Sequence, residues 1–207
     1  MHRSFEMIPT DKKQLAAVIP AAGESSRTGT PKMLLRFGEK TMIEQVVLNF
    51  TESQVSEIVV VLGAWKDEIL KVISEYDIKY RINEEYNRGM LSSVICGIRS
   101  LSSGIRAAVI LPGDYPFIRG SFIDEFADAF LGSGKGIGIP VSGGRKGHPI
   151  ILDKKYFGMV ETLNPSGGLR EIIGLHEEDV FKYYTDNDYI HTDIDTMEDY
   201  FASTGKI

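Results

Sequence analysis

The chain has 207 residues, 43% hydrophobic and 25% charged, an ordinary composition with room for a full α/β core. Its formal net charge of −6 argues against a nucleic-acid partner, and no run approaches the ~20 apolar residues that a membrane-spanning helix needs. A single cysteine, Cys96, excludes an intrachain disulfide and a cysteine zinc site.

In chain order, residues 1–14 are polar and mixed in charge, without the apolar core of a secretory signal. They are expected to form a short extension of a cytoplasmic protein, with one domain over 15–207. The first strand is expected at Leu15–Pro20. It runs into a small-residue loop, Ala21-Ala22-Gly23-Glu24-Ser25-Ser26-Arg27-Thr28-Gly29-Thr30-Pro31-Lys32. Small residues let backbone N–H groups close around an anion, and Arg27 and Lys32 add fixed charge. Five residues separate Gly23 from Gly29, so the P-loop spacing is not met, and Ser25 breaks the dinucleotide fingerprint.

A helix is expected at Thr41–Ser53, with Ile43, Val46, Val47 and Phe50 on one face. The strand Glu57–Leu62, the helix Trp65–Glu75 and the strand Lys79–Asn83 follow. From Asn83 a loop leads through Gly89 to Ser92 and Ser93 at the start of a helix, Leu91–Leu101. Free N–H groups and hydroxyls at that helix start suit a base, ribose or phosphate, and they suit plain helix capping equally. Cys96, among Val94, Ile95 and Ile98, is expected to be a buried, inert thiol.

The strand Ala107–Leu111 ends in Pro112-Gly113-Asp114-Tyr115-Pro116. The prolines restrict the backbone and so fix where Asp114 points. A carboxylate there, facing a phosphate loop, suits a Mg²⁺–nucleotide complex; a turn aspartate bonding its own backbone is the other reading. A helix at Ser121–Leu131 is followed by Gly132–Gly136, a flexible turn, and by strands at Gly136–Pro140 and Pro149–Leu152. Between those strands lie Arg145, Lys146 and His148. The Gly-rich turn Asn164–Arg170 then precedes a helix at Gly168–Leu175. His148 and Arg170 suit a second anion, the acceptor; a solvated basic loop with a histidine satisfied by backbone is the other reading. After the strand Val180–Thr185, Asp193-Ile194-Asp195-Thr196 puts two carboxylates on one face of an extended segment. Asp193 or Asp195 is expected to add a metal ligand, while Asp195 or Thr196 can cap a last helix at Met197–Phe201. No role is assigned to His2, His176 or His191. Alternating strands and helices predict a doubly wound sheet, whose ligands bind at the carboxyl ends of the strands.

Several of these residues together resemble the NTP-transferase family that includes the molybdenum cofactor cytidylyltransferases. They are Ala21-Ala22-Gly23, Ser25, Arg27, Gly29 and Lys32-Met33-Leu34-Leu35, then Asn83, Gly89-Met90 and Ser92-Ser93. Leu111, Asp114, Pro116, Gly147-His148-Pro149 and Asp193-Ile194-Asp195-Thr196 continue the match in the family's order across nearly all of residues 15–202. The resemblance implies a three-layer, Rossmann-like α/β fold of the nucleotide-diphospho-sugar transferase kind. Its sheet is mixed and mostly parallel, with one reversed strand. It also implies a Mg²⁺–NTP donor and nucleotidyl transfer that releases pyrophosphate. Ala21, Ala22, Gly23, Ser25, Asn83, Gly89, Ser92 and Ser93 would hold the nucleotide. Arg27, Lys32 and Asp114 would be catalytic, and Asp114, Asp193 and Asp195 would hold Mg²⁺. The Ala-Ala-Gly form of the loop is associated with CTP, and the Ala22 methyl would narrow the space for a purine. Two departures stand at acceptor or base positions: Leu91 replaces a usual serine, and Asn164–Arg170 lacks the aspartate of a Gly-Asp-x-Gly-Ala-Arg stretch. The expected reaction moves CMP from CTP to a phosphorylated acceptor such as molybdopterin. Guanylyl or sugar-phosphate nucleotidyl transfer, or a non-catalytic nucleotide-binding regulator, are the other readings.

Overall fold

A computed structural model describes residues 14–24, 31–164 and 167–204. The elements in order are β1 (Leu15–Ala21), β2 (Arg36–Phe37), β3 (Lys40–Thr41), α1 (Met42–Thr51), β4 (Glu57–Leu62) and α2 (Lys66–Ile73). Next come β5 (Lys79–Ile82), α3 (Met90–Arg99), β6 (Ala107–Ile110), α4 (Gly120–Ser133), β7 (Ile137–Ser142) and β8 (Arg145–Lys146). The rest are β9 (Ile150–Asp153), α5 (Phe157–Val160), α6 (Leu169–Leu175), β10 (Val180–Tyr184) and α7 (Met197–Thr204).

The main sheet runs β10-β7-β9-β6-β1-β4-β5, with β8 beside β7. β1 is parallel to both β4 and β6, pairing Ala21 with Leu62 and Val18 with Ile110. β9 is antiparallel to β6 and β7, so it is the reversed strand that the resemblance implied; the two-residue β8 adds another antiparallel pairing. β1, β4 and β6 are continuous apolar runs because both their faces are covered. Along β1, Ala17 and Ile19 face a core built with Ile43 and Phe50 of α1, Ile69 of α2 and Phe126 of α4. Val18 faces the other way, onto Val94 and Ile98 of α3, Val160 of α5 and Ile172 of α6. Helices on both faces of one sheet give three layers. α3 sits so close over β1 that a Cβ at Gly97 would run into Val18.

Helix α1 starts where the sequence places it because Thr41 and Glu44 form a capping box: Thr41 N–H donates to Glu44 Oε2 at 2.8 Å. The stretch Gly132–Gly136 is the end of α4, where Gly134 takes the left-handed conformation (φ 69°) that closes helices. Among the described residues, no helix is long and apolar enough to cross a membrane.

The connections from β1 lead outward through β4 to β5, and the chain then crosses to β6 on the other side of β1. This reversal opens a crevice at the carboxyl ends of β1 and β6, where α/β sheets bind ligands. The two strand ends stay tied beyond their regular pairing: Leu111 N–H donates to Val18 O at 3.1 Å, and Gly113 N–H to Pro20 O at 3.0 Å.

Candidate active site

The loop leaving β1 begins with two sealed residues, Ala21 and Ala22. The end of β4 presses against it. Ala64 N–H donates to Ala22 O at 3.2 Å, and a Cβ on Gly63 would stand 2.5 Å from that oxygen and 2.8 Å from the Ala22 methyl. Only glycine fits at position 63, and the Ala22 methyl lies in this contact. Any influence of Ala22 on a base therefore passes through the packing of the loop. Gly23 is open, with nothing within 4 Å of a would-be Cβ, so its backbone is accessible to a ligand. Trp65 Nε1 donates to Glu24 O at 3.0 Å and fixes the loop's next step. Ser25 and Arg27 lie outside the described residues. The chain returns at Pro31, and a short turn over Lys32–Leu34 drives Met33 into the core, leaving Lys32 at the crevice.

There Lys32 meets the aspartates. Its Nζ donates to Asp114 Oδ2 and to Asp195 Oδ1, each at 2.7 Å. Ile194 N–H donates to Asp114 O at 3.0 Å and so joins the late loop to the end of β6. Asp114, Asp193 and Asp195 offer carboxylate oxygens that all lie within 4.8 Å of one another. Burial disfavours a charged Lys32, but the charge and hydrogen bond of Asp114, with those of Asp195, hold its pKa above the ordinary value. Asp193 is raised, by burial and then by repulsion from Asp114 and Asp195. Asp114 is 6% exposed, and its Oδ1 is sealed from solvent with no hydrogen-bond partner. A buried carboxylate oxygen left unpaired is costly in a protein interior. Hard oxygen donors of this kind suit a divalent cation, so the site fits a metal. Of the two expected caps it is Thr196 that serves: Thr196 Oγ1 and Asp199 exchange hydrogen bonds at the start of α7, while the Asp195 carboxylate faces Lys32.

The Asn83 segment is bonded largely to itself. Asn83 Nδ2 donates to Ser92 Oγ at 2.8 Å and to Ser93 Oγ at 3.0 Å, while Glu85 N–H donates to Asn83 Oδ1 at 3.0 Å. Gly89 takes φ 97°, a conformation that favours glycine, to turn the chain into α3. Asn83 and Ser92 border a cleft of about 770 Å³ along α3, shared with Arg81, Arg88 and Arg99. Cys96 also borders it. The thiol is half-buried rather than fully buried as expected, because α3 leaves this side open at the edge strand β5. Partial burial still pushes its pKa up, which keeps it protonated.

A second cavity, of about 560 Å³, brings together the two basic segments that the sequence places apart. Arg145 and Lys146 come from β8, His148 from the turn before β9, and Arg170 from α6; Tyr115 and His191 complete its polar wall. Gly147 is required where this turn passes Ile190, since a Cβ would stand 2.5 Å from Ile190 O. Tyr115 links this cavity to the aspartates. It follows Asp114 directly, its ring centroid is 4.9 Å from that of His148, and burial and then Asp193 and Asp114 push its hydroxyl pKa up. Sequence reasoning gave no role to Tyr115, His191, Gly63 or Gly147. Gly63 was legible only as a single glycine at the end of a strand, and Gly147 only as part of the Gly147-His148-Pro149 match.

Burial pulls His148 down to about 4, so its ring is neutral near pH 7; Arg170 adds to the fall and Asp193 opposes it. Its Nδ1 is sealed and has no hydrogen-bond partner. An unfolded-chain histidine titrates near 6.5. Between these values the unfolded state takes up a proton that the folded state refuses. The contribution of His148 to stability is therefore complete above pH 6.5 and is lost as pH falls toward 4, by at most about 3 kcal/mol. Urea unfolding at pH 7 and pH 4.5 should show a smaller acid loss in His148→Gln than in the wild type. Equal losses would assign the pH dependence to other groups.

Residues 17–180 match the description MobA-like NTP transferase domain. The chain is 26% identical over 187 residues to the molybdenum cofactor cytidylyltransferase of Escherichia coli (strain K12), a match covering 90% of this chain and 93% of that protein. It is 28% identical over 131 residues to the probable molybdenum cofactor guanylyltransferase of Bacillus mycoides (strain KBAB4), covering 63% of this chain and 64% of that protein. Among solved structures it resembles Rv0371c from Mycobacterium tuberculosis H37Rv, with a TM-score of 0.83 at 22% identity over 92% of this chain and 96% of that one.

Proposed function

The chain belongs to the MobA-like NTP transferase family and is a nucleotidyltransferase, and on that premise we propose that it transfers CMP from Mg²⁺-bound CTP to a phosphorylated small-molecule acceptor of the molybdopterin kind. The observation that carries this reading is the convergence of Lys32, Asp114 and Asp195 at the mouth of the crevice, with Tyr115 leading from them into a basic cavity. The Ala-Ala-Gly form of the loop and the cytidylyltransferase relative support CTP as donor.

In this reading an oxygen of the acceptor phosphate attacks the α-phosphorus of the nucleotide in line. A new P–O bond forms as the bond to the bridging oxygen breaks, and pyrophosphate leaves with the electron pair. A phosphate monoester has a second pKa of about 6, so the nucleophile carries no proton that must be removed. No general base is therefore required, and His148, neutral near pH 7, is left to line the acceptor's cavity. Catalysis rests on positioning and on fixed charge. The loop at Ala22 and Gly23 approaches the triphosphate through its backbone. Lys32 and Arg27 neutralise the charge that builds on the departing pyrophosphate. Asp114, with Asp195 and Asp193, would hold Mg²⁺, which supplies positive charge to the phosphate oxygens when bound. Arg170, Arg145 and Lys146 receive the acceptor's phosphate, and His148 and Tyr115 form the wall against which the acceptor lies.

Arg170→Ala tests this division. A hydrogen bond to a charged group contributes about 1.5–3 kcal/mol, so the acceptor KM should rise about tenfold or more while the CTP Kd stays unchanged. Loss of CTP affinity with an unchanged acceptor KM would move the basic cavity to the donor.

A further inference from the structure

Lys32 has a second task that a phosphate-binding lysine does not need. Its Nζ stands 2.7 Å from one oxygen of each of two carboxylates that would hold a metal. The Lys32 and Asp114 side chains are 13% and 9% exposed, and that of Asp195, at the rim, is 37% exposed. Asp193 completes the cluster, whose oxygens lie within 4.8 Å of one another. A divalent cation of the magnesium type demands carboxylate oxygens at about 2.0–2.1 Å and near-octahedral geometry. While the ammonium stands 2.7 Å from Asp114 Oδ2 and Asp195 Oδ1, its positive charge opposes a divalent cation at the same carboxylates.

We propose that Lys32 is the built-in counter-ion of the metal site, and that a divalent cation gains Asp114 and Asp195 only when a triphosphate draws the ammonium away. The proposal rests on the nucleotidyltransferase reading of the site. Lysine suits such a role because its charge is compact and its four-carbon stem is flexible. In the free protein the ammonium offsets the mutual repulsion of the aspartates and makes the bare metal a poor ligand. When the nucleotide arrives, its phosphates offer Lys32 another anion and the vacated oxygens accept the cation. Metal and nucleotide then favour each other, and by linkage the effect is equal in both directions.

The test uses Mn²⁺ alone as the probe, on the full chain without nucleotide, followed by the loss of the free-ion paramagnetic resonance signal. Lys32→Met keeps the length and removes the charge; Lys32→Gln repeats the test should the methionine variant fold poorly, and thermal melting checks both. Lys32→Arg keeps the charge. The expected result is Mn²⁺ binding at least tenfold tighter in Lys32→Met than in the wild type, with Lys32→Arg remaining weak. Binding no tighter in Lys32→Met and Lys32→Gln than in the wild type overturns the proposal. Tighter binding in Lys32→Met, together with no nucleotide transfer by the wild type, supports the counter-ion and overturns the functional reading alone. Binding no tighter in the variants, together with no transfer by the wild type with any NTP, overturns both.

Discussion

Asp114→Asn is expected to lower metal-dependent nucleotidyl transfer by on the order of 10²–10³-fold, the scale seen when a preorganised charge or dipole is removed from a reacting centre. The amide keeps the shape of the carboxylate and loses the charge that a hard cation requires. The fold should survive. Lys32 retains Asp195 as a partner at 2.7 Å, and Asp193, whose pKa Asp114 helps to raise, loses a repulsive neighbour. The main-chain bond from Ile194 to Asp114 O does not depend on the side chain. Transfer rates across a range of Mg²⁺ concentrations, with urea midpoints for both proteins, check both halves. Normal transfer at limiting Mg²⁺ would reduce Asp114 to a turn residue.

Lys32→Ala should lower kcat by ~10²-fold, because a lysine on the departing pyrophosphate acts mainly where charge develops. The same substitution should move the free protein's metal affinity the other way, since the ammonium now paired with Asp114 and Asp195 is gone. A merely structural lysine would not combine slower turnover with tighter metal binding. Single-turnover rates and metal titrations of one preparation separate the cases. An unchanged kcat in a folded variant contradicts the assignment of Lys32 to the phosphates.

The layered sheet was legible because β1, β4 and β6 are buried on both faces and so read as unbroken apolar runs. The longer helices were legible from apolar spacing, but the four-residue α5 was not, being too short to show a period. The two-residue strands β2, β3 and β8 were not, since pairs that short carry no periodicity and are set by glycine turns at Gly38, Gly143 and Gly144. At the site, that Lys32, Asp114, Asp193 and Asp195 share one crevice was legible from their places after expected strands. Their pairing was not, because a contact across 82 or 163 residues depends on the closed sheet. Also hidden was the bonding of Asn83 to Ser92 and Ser93, which the local turn through Gly89 sets and which occupies groups that had been assigned to the nucleotide. So was the state of His148. Its sequence neighbours are cations, but burial sets its charge, and burial comes from Tyr115 and the surrounding turn.

Pyrophosphate release, followed with each of the four common NTPs in Mg²⁺ against molybdopterin and a set of sugar phosphates, tests the account most directly. It predicts release that requires both an NTP and an acceptor, is fastest with CTP, and disappears with Asp114→Asn. Absence of release with every NTP–acceptor pair, or release that ignores the acceptor and survives Asp114→Asn, would contradict it.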